Sequence, residues 1–353
     1  MLITSAVVSF QWPLPPDGFQ WRDLRPVSDS WSVERKSDRV LVSNDFRMSF
    51  LGLNTKSIKY QPLDSSGLFR ELAALDPSPE AIQQFANRYG ALTGGRLFVP
   101  QDKEERMLKP TSDVRLSRYY EEALFAGMTE AKTTIKHWVM RGAVFGDSLG
   151  YWREEIHKLR ALIGLWDSLR NSNRSGIEKF AQFGWNGKLR TINVVDEDGK
   201  ALARVRTFTQ EASAKLTLAA AAEHALTDVL SDLTANTSGI LLFPHESRYR
   251  RKLAIVPKSL RDAIWLQFAL AVLENKKYRS CEVCGKSFEV SPQVARTTRT
   301  LCSSACKQKA HRLRRDQCVK FAEQGLTAKQ IAKRVGSQLS TVENWLQEFK
   351  EKK

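Results

Sequence analysis

Apolar positions at intervals of three and four residues predict the principal helices of this chain. The stretch PEAIQQFANRY lies between Ser78, a good N-cap, and Gly90, a natural helix stop. From Trp152 to Leu169 aromatic and aliphatic residues recur along one face, which predicts a long amphipathic helix with that face in the core. We expect the wider region 113–171 to be mainly helical.

Two more helices are expected further along the chain. One is rich in alanine and covers about 210–234, and the other, over 260–273, is apolar on nearly every side. A helix without a polar face must be buried. Adjacent acidic residues along helices point to different sides, so we expect solvated faces for the pairs Glu104–Glu105, Glu121–Glu122 and Glu154–Glu155.

Strand patterns occupy the first third of the chain and one later segment. Runs of β-branched and aromatic residues broken by Pro, Gly, Asp and Asn predict strands over residues 1–12, about 31–42 and 46–60. The segment KLRTINVVDEDGKALARVRTF predicts a hairpin turning at Glu197–Gly199. Its arginines, Arg190, Arg204 and Arg206, line either a solvated sheet face or a nucleic-acid groove. The pattern predicts an α+β fold, with a mainly helical domain and a small β portion over residues 1–275.

The charge of the chain is concentrated near its C-terminus. The 353 residues carry a formal net charge of +16, and residues 276–353 hold 18 Lys or Arg against 7 Asp or Glu. About two thirds of the excess charge thus lies in about a fifth of the chain. Such a surface favours a polyanionic partner, because each neutralised phosphate releases counterions. The alternative is a basic tail that serves solubility.

Hydropathy gives an expectation for location. The chain has no apolar run of about 18 residues, which a membrane-spanning helix would need. Its N-terminus, MLITSAVVSFQW, lacks the basic segment and small-residue cleavage site of a secretory signal. We therefore expect a cytoplasmic protein with no membrane partner.

Five cysteines are clustered between Cys281 and Cys318, and four of them have the spacing of a metal site. The ligand pattern is Cys281-x2-Cys284 and Cys302-x3-Cys306, separated by 17 residues. Four thiolates suit one tetrahedral Zn²⁺, and a site closed by four cysteines is structural because no position remains for water. Cys318 is interpreted as a small buried hydrophobe. Redox chemistry or chance clustering is the alternative.

The residues around the cysteines predict a treble-clef-like zinc finger over residues 276–315. Gly285 permits the tight turn of a knuckle directly after Cys284, and Phe288 can pack beneath it. Cys302 to Cys306 is expected to open a helix, on which residues four apart share a face. His311 could also reach the metal, but four cysteines already satisfy it.

The run CEVCGKSF…LCSSACKQKAHRLRRD resembles the CGNR-type zinc finger of bacterial stress-induced transcription regulators. The resemblance implies that the four cysteines are its zinc ligands, and that a helical N-terminal domain precedes the finger. Gly285, Phe288 and Ser303 match the framework of that finger. Lys307-Gln308-Lys309 stands where the family has Gly-Asn-Arg.

Three short amphipathic helices are expected over residues 316–353. The first stops at Gly325, and the second begins with a capping box at Thr327–Gln330 and ends at Gly336. The third opens at a second capping box, Ser340–Glu343. Three such helices with a glycine turn before the last form a helix-turn-helix, with a protein-interaction module as the alternative.

The stretch GLTAKQIAKRVGSQLSTVENWL is similar to the DNA-binding helix-turn-helix of resolvases, invertases and transposases. The resemblance implies that the third helix enters the major groove. The residues that would face bases or phosphates there are Gln338, Ser340, Thr341, Asn344 and Gln347. Those that would lie near phosphates are Lys329, Lys333 and Arg334. A carboxylate suits a DNA-binding surface poorly, so Glu343 is expected either to cap the helix or to accept a hydrogen bond from a cytosine amino group.

A basic helix, Lys307–Arg315, joins the two modules. Helical spacing puts Lys307, His311 and Arg314 on one side, with Arg312 and Arg315 on an adjoining one. This helix either contacts phosphates through Lys307, Arg312 and Arg315 or serves only as a scaffold.

We expect a bacterial regulator that binds DNA through its C-terminal modules, with residues 1–275 serving sensing, homodimerisation or partner docking. The alternative is an interaction subunit of a mobile-element or phage-defence complex that recruits a protein or ribonucleoprotein. The chain contains no HExxH, phosphate-binding glycine loop or paired Cys and His at hydrolase spacing. An enzyme is therefore the least favoured class.

Overall fold

The computed structural model describes residues 7–8, 12–26, 38–43, 58–93, 96–99, 144–186, 189–202, 206–208, 216–235, 238–244, 251–291 and 298–351. The chain divides into two compact units, Met1–Asn275 and Lys276–Lys353. The division falls in the polar stretch ENKKYRS, where Asn275 has a positive φ of 48° directly after a helix.

The first unit mixes helices with small sheets. Its strands are β1 (Val7–Val8), β2 (Trp12–Leu14), β3 (Gln20–Pro26), β4 (Asp38–Val42), β5 (Ile58–Tyr60), β6 (Arg96–Val99), β7 (Val144–Ser148), β8 (Ala181–Asn186), β9 (Leu189–Val194), β10 (Arg206–Phe208), β11 (Ser238–Pro244) and β12 (Arg251–Pro257). Its helices are α1 (Leu68–Ala73), α2 (Pro79–Tyr89), α3 (Leu149–Arg170), α4 (Arg174–Phe180), α5 (Leu218–Ala235) and α6 (Leu260–Leu273). Over the described ranges, no helix has both the length and the apolar character that crossing a membrane requires.

Most strand pairs are antiparallel, as an α+β fold requires. Strands β3, β4, β7 and β6 pair in a closed ring, β2 pairs with β5, and β8, β9 and β10 form a meander. A parallel pair, β1 with β12, is extended by β11. The expected hairpin is confirmed: Gly199, at φ +79°, closes the turn after β9 by donating its amide to Asp196.

The residue ranges predicted for two helical segments of the first unit are wider than the helices observed. Residues 144–148 form strand β7 although region 113–171 was expected to be mainly helical; residues 113–143 lie outside the described ranges. Gly146 allows β7 to pair closely with β4, since a side chain there would meet the Leu41 carbonyl of β4 at 2.5 Å. The alanine-rich helix begins at Leu218, and β3, β11 and β12 were not anticipated.

The helices form the core of this unit. Ser78 caps α2 by accepting a hydrogen bond from the Ala81 amide, and Gly90 ends it, as expected. The amphipathic stripe of α3 and the apolar α6 are buried, with Trp152 and Trp265 fully enclosed. Of the expected basic hairpin face, Arg190 places its guanidinium 3.6 Å from the centre of the Phe183 ring, while Arg204 lies outside the described residues.

A buried ionic cluster lies inside this core, and it corrects the expectation for the pair Glu154–Glu155. Glu154 is exposed, but Glu155 is only 2% exposed and accepts a hydrogen bond of 2.8 Å from the Trp265 indole. Its carboxylate also lies 2.9 Å from Arg261 Nε. Burial, the largest single influence, would lower the pKa of Arg261, but the charge and hydrogen bond of Glu155 together with the charges of Tyr151 and Asp262 raise that pKa above its usual value.

Replacing Glu155 by alanine is expected to destabilise the first unit by about 3 kcal/mol, because the largely buried Arg261 then keeps only Asp262, at 3.4 Å, as a counter-charge. The Trp265 indole loses its acceptor as well. Urea titration followed by tryptophan fluorescence reports on this unit, since eight of the nine tryptophans precede Lys276.

Glu154→Ala is the matched control, one residue away on the same helix. Its side chain is 62% exposed, so its loss should change stability by no more than about 0.5 kcal/mol. Equal midpoints for the two variants would show that the buried pair contributes nothing.

The second unit has two strands, β13 (Tyr278–Ser280) and β14 (Ser287–Glu289), and three helices, α7 (Ser304–Glu323), α8 (Ala328–Val335) and α9 (Leu339–Glu351), within its described residues. Helix α7 runs without interruption across the boundary expected between residues 315 and 316. The cysteine-rich segment and the three-helix segment therefore share one helix.

Candidate metal centre and nucleic-acid interface

The first two cysteines lie in the turn of the hairpin formed by β13 and β14. Gly285 adopts a positive φ of 72°, as the turn requires, and donates its amide to the Cys281 carbonyl at 2.9 Å. The Cys281 amide in turn donates to the Lys286 carbonyl at 2.9 Å. These two hydrogen bonds close a tight knuckle in which the Cys281 and Cys284 side chains converge.

The other two cysteines flank the first turn of α7. Ser303 caps the helix by accepting a hydrogen bond from the Cys306 amide at 3.2 Å. Cys302 therefore lies just before the helix and Cys306 inside it. The cap fixes the turn so that their sulfurs lie 3.5 Å apart.

The four sulfurs form a cluster of the size that a single metal ion needs. All four Sγ atoms lie within 4.8 Å of one another, and Cys284 Sγ is 3.5 Å from Cys302 Sγ. Tetrahedral zinc with Zn–S bonds of about 2.3 Å requires sulfurs about 3.8 Å apart. The cysteine cluster thus fits one metal ion, and it is the one such group found in the described ranges.

The thiols influence one another strongly. Burial, together with interactions with neighbouring thiols, raises the pKa of Cys302 to about 12 and that of Cys284 to about 11. Burial would also raise the pKa of Cys281, but the backbone amides of Cys302, Val283 and Cys284 lower it to about 6. A cation is the natural means of holding four thiolates together, because proteins rarely collect unpaired like charges.

A small apolar floor supports the cluster. Cys281, Phe288 and Val290 are buried together, which confirms the expected packing of Phe288 beneath the knuckle. Arg299 ties the segment before α7 to this floor: its Nε donates to the Leu301 carbonyl at 2.6 Å, and its Nη2 donates to the Cys302 carbonyl. Its guanidinium also lies 5.3 Å from the centre of the Phe288 ring.

The second half of α7 packs with α8 and α9 around a separate apolar core. Cys318 is fully buried there, as expected for a small hydrophobe, with no part in the metal cluster. The other buried members are Ile331, Val335, Val342 and Trp345. His311 presents its ring to Trp345 at 5.1 Å between centres, so it belongs to the helical packing and not to the cysteine cluster.

The bounds of α8 agree with the sequence-based prediction, whereas the start of α9 differs from it. The capping box at Thr327–Gln330 is present, and Gly336 ends α8 in the left-handed conformation. The second capping box, at Ser340–Glu343, is wrong: α9 begins at Leu339, and the Gln338 carbonyl accepts the amides of Thr341 and Val342. Ser340 therefore lies inside the first turn.

Most residues expected to contact DNA lie on the surface. On α9 and just before it, Gln338, Ser340, Asn344 and Gln347 are exposed and Thr341 is half-buried, whereas Val342 and Trp345 are buried. Three basic side chains on α8 are exposed as well: Lys329, Lys333 and Arg334. Gln347 donates to Glu351 at 3.1 Å.

The basic residues of α7 separate into different environments. Lys307 and Arg312 are exposed, whereas Arg315 forms an ion pair of 2.7 Å with Glu348 of α9. Arg315 thus fastens α9 to α7. Sequence spacing had placed Lys307, His311 and Arg314 on one side, and all three line a common cleft. Arg299, which lines it too, was missed because it lies outside the helix.

Comparison of the chain with protein-family models, with curated proteins and with solved structures gives no match. The resemblances to a CGNR-type finger and to a resolvase-like helix-turn-helix therefore rest on the residues of this chain alone.

Proposed function

We propose that this chain is a zinc-containing DNA-binding protein, and that it acts as a bacterial transcription regulator. The observation that carries the proposal is the shared helix α7, which joins a four-cysteine metal cluster to a three-helix module with an exposed polar face. Both parts lie within the strongly basic residues 276–353.

Zinc is the metal that the donor set favours. Four thiolates at tetrahedral spacing suit Zn²⁺, and with every position taken by sulfur the ion has a structural role. Cys281, Cys284, Cys302 and Cys306 would hold it, so that the treble-clef-like hairpin and α7 are fixed to each other. When bound, the ion supplies folding free energy and no reaction chemistry.

The polar face of α9 supports the DNA assignment. Asn and Gln side chains can bond an adenine edge through two hydrogen bonds, and Gln338, Asn344 and Gln347 present such groups. Because α9 begins at Leu339, Glu343 is not needed as a cap, and its exposed carboxylate is placed to accept a bond from a cytosine amino group. Lys329, Lys333, Arg334, Lys307 and Arg312 would contact phosphates around it.

The proposal is tested by selecting bound sequences from a random duplex pool and titrating the full chain against them in rising salt. A protein that neutralises several phosphates should lose about 1,000-fold or more in affinity between about 50 and 200 mM salt. Asn344→Ala should weaken binding to the selected site by about 1–3 kcal/mol and leave random duplex binding unchanged.

Lys329→Gln is the matched comparison from the neighbouring helix. It should weaken all duplexes equally, because a phosphate contact carries no sequence information. Failure of the wild-type chain to bind any duplex at low salt would refute the proposal. A protein or ribonucleoprotein that co-purifies at fixed stoichiometry, without DNA binding by the chain itself, would favour an interaction subunit instead.

A further inference from the structure

A cleft of about 380 Å³ lies beside the first turns of α7, and four of its nine lining residues are Lys, Arg or His. Arg299 borders it from the segment before the helix, and Lys307, His311 and Arg314 border it from the helix itself. The remaining described lining residues include the hydroxyl groups of Ser303 and Ser304, and none of the nine is acidic.

The basic side chains reach the cleft for identifiable reasons. Lys307 and Arg314 are seven residues apart, so they stand two turns from each other on one side of α7. His311 lies between them, and its contact with Trp345 fixes its ring. Arg299 is held by the Leu301 and Cys302 carbonyls, so its charge stays at the mouth of the cleft.

The N-terminus of α7 adds to the positive electrostatic potential in the cleft. The N-terminus of a helix carries a partial positive charge and exposed amide groups, which favour anions close to it. The cleft borders this end of a 20-residue helix through Ser303 and Ser304. Basic side chains, hydroxyl groups and a helix terminus thus converge on one volume.

We propose that this cleft binds a phosphodiester of the duplex backbone, as a positioning contact separate from the base-reading face of α9. The inference rests on the proposed DNA-binding function and specifies where the backbone is held. His311 lines the cleft and contacts Trp345 on α9, the helix whose exposed side carries the base-reading residues, so the cleft is held next to that helix. Lys307 and Arg314 make the contact; Arg315 does not, because Glu348 engages it.

A different role would explain the same charges. Four thiolates around a divalent cation keep a net negative charge, and nearby cations could simply compensate it. Arg299, bonded to Cys302, suits that role and is therefore left intact in the test. Metal content separates the two roles, since charge compensation predicts a loss of metal and phosphate binding does not.

The first experiment compares two double variants of the full chain, Lys307→Gln/Arg314→Gln and Lys309→Gln/Lys320→Gln. Both remove two charges from α7, but Lys309 and Lys320 are exposed residues away from the cleft. The cleft variant should lower the salt dependence of log affinity by nearly two units, at about 0.9 per phosphate contact, equally on all sequences. Equal slopes for the two variants, or metal loss in the cleft variant, would overturn the proposal.

The second experiment measures acetylation of lysines in the wild-type chain by mass spectrometry. Bound duplex should protect Lys307 several-fold more than Lys309, and inorganic phosphate at the same phosphate concentration should protect neither. Equal protection of Lys307 by inorganic phosphate would identify a free-anion site and overturn the backbone assignment. Duplex binding with Lys307 unprotected would overturn this inference alone, whereas no duplex binding would overturn the proposed function as well.

Discussion

Cys284→Ser is expected to release the metal ion and to unfold the hairpin and the start of α7. Structural zinc supplies about 10–16 kcal/mol of folding free energy in small fingers, and three thiolates hold it far less tightly than four. The apolar floor of this region is small, with Cys281, Phe288 and Val290 as its buried members, so it cannot maintain the fold by itself. Elemental analysis and far-ultraviolet circular dichroism measure the two losses.

Cys318→Ala is the control, since it also removes a thiol from α7. Cys318 lies in the helical core outside the cysteine cluster, so this variant should keep one metal ion per chain and lose only modest stability. Full metal content in the Cys284→Ser protein would show that the ligand assignment is wrong. DNA binding should fall with the metal, because α8 and α9 are packed against the helix that the metal anchors.

Trp345→Ala is expected to destabilise the three-helix core by about 3–5 kcal/mol, the cost typical of removing a buried large aromatic side chain. Trp345 is only 5% exposed and contacts His311 of α7 besides the apolar residues of the core. Loss of DNA binding and of helical signal should accompany this destabilisation.

The metal should nevertheless remain bound in Trp345→Ala, because all four ligands precede the three-helix core in the chain. Leu339→Ala provides the comparison on the same helix, where a 43% exposed side chain should be replaceable within about 0.5 kcal/mol. Retained helical signal and DNA binding in Trp345→Ala would show that α9 does not depend on this core. Loss of the metal would show that the cluster requires the helices.

The parts of the second unit that follow from local rules were predictable. The ligand spacing predicted the four-cysteine cluster, and the glycines predicted the turns at Gly285 and Gly336. The capping box predicted the start of α8. The uninterrupted α7 also had a local signal that was overlooked, since SACKQKAHRLRRDQCVKFAE contains neither glycine nor proline.

Features made by residues distant in sequence were not predictable. Glu155 occupies a helix position that suits solvent, and besides the local Lys158 its buried carboxylate is compensated by two distant groups, the Trp265 indole, 110 residues away, and Arg261. The same holds for β7, whose partners β4 and β6 are far from it in the chain. The start of α9 was misjudged by two residues because Ser340 is a good cap in isolation, whereas the helix begins at Leu339 with Gln338 in the cap position.

Helix α7 also sets a fixed distance between the metal cluster and the helical core. Twelve residues separate Cys306 in the metal cluster from Cys318 in the helical core, and at about 1.5 Å per residue they span about 18 Å of rigid rod. At about 3.4 Å per base, that length equals about five steps along a duplex. In the proposed DNA complex, the interval between backbone contacts near the metal and base contacts from α9 would be set by the length of this helical segment and by the angular position of its side chains.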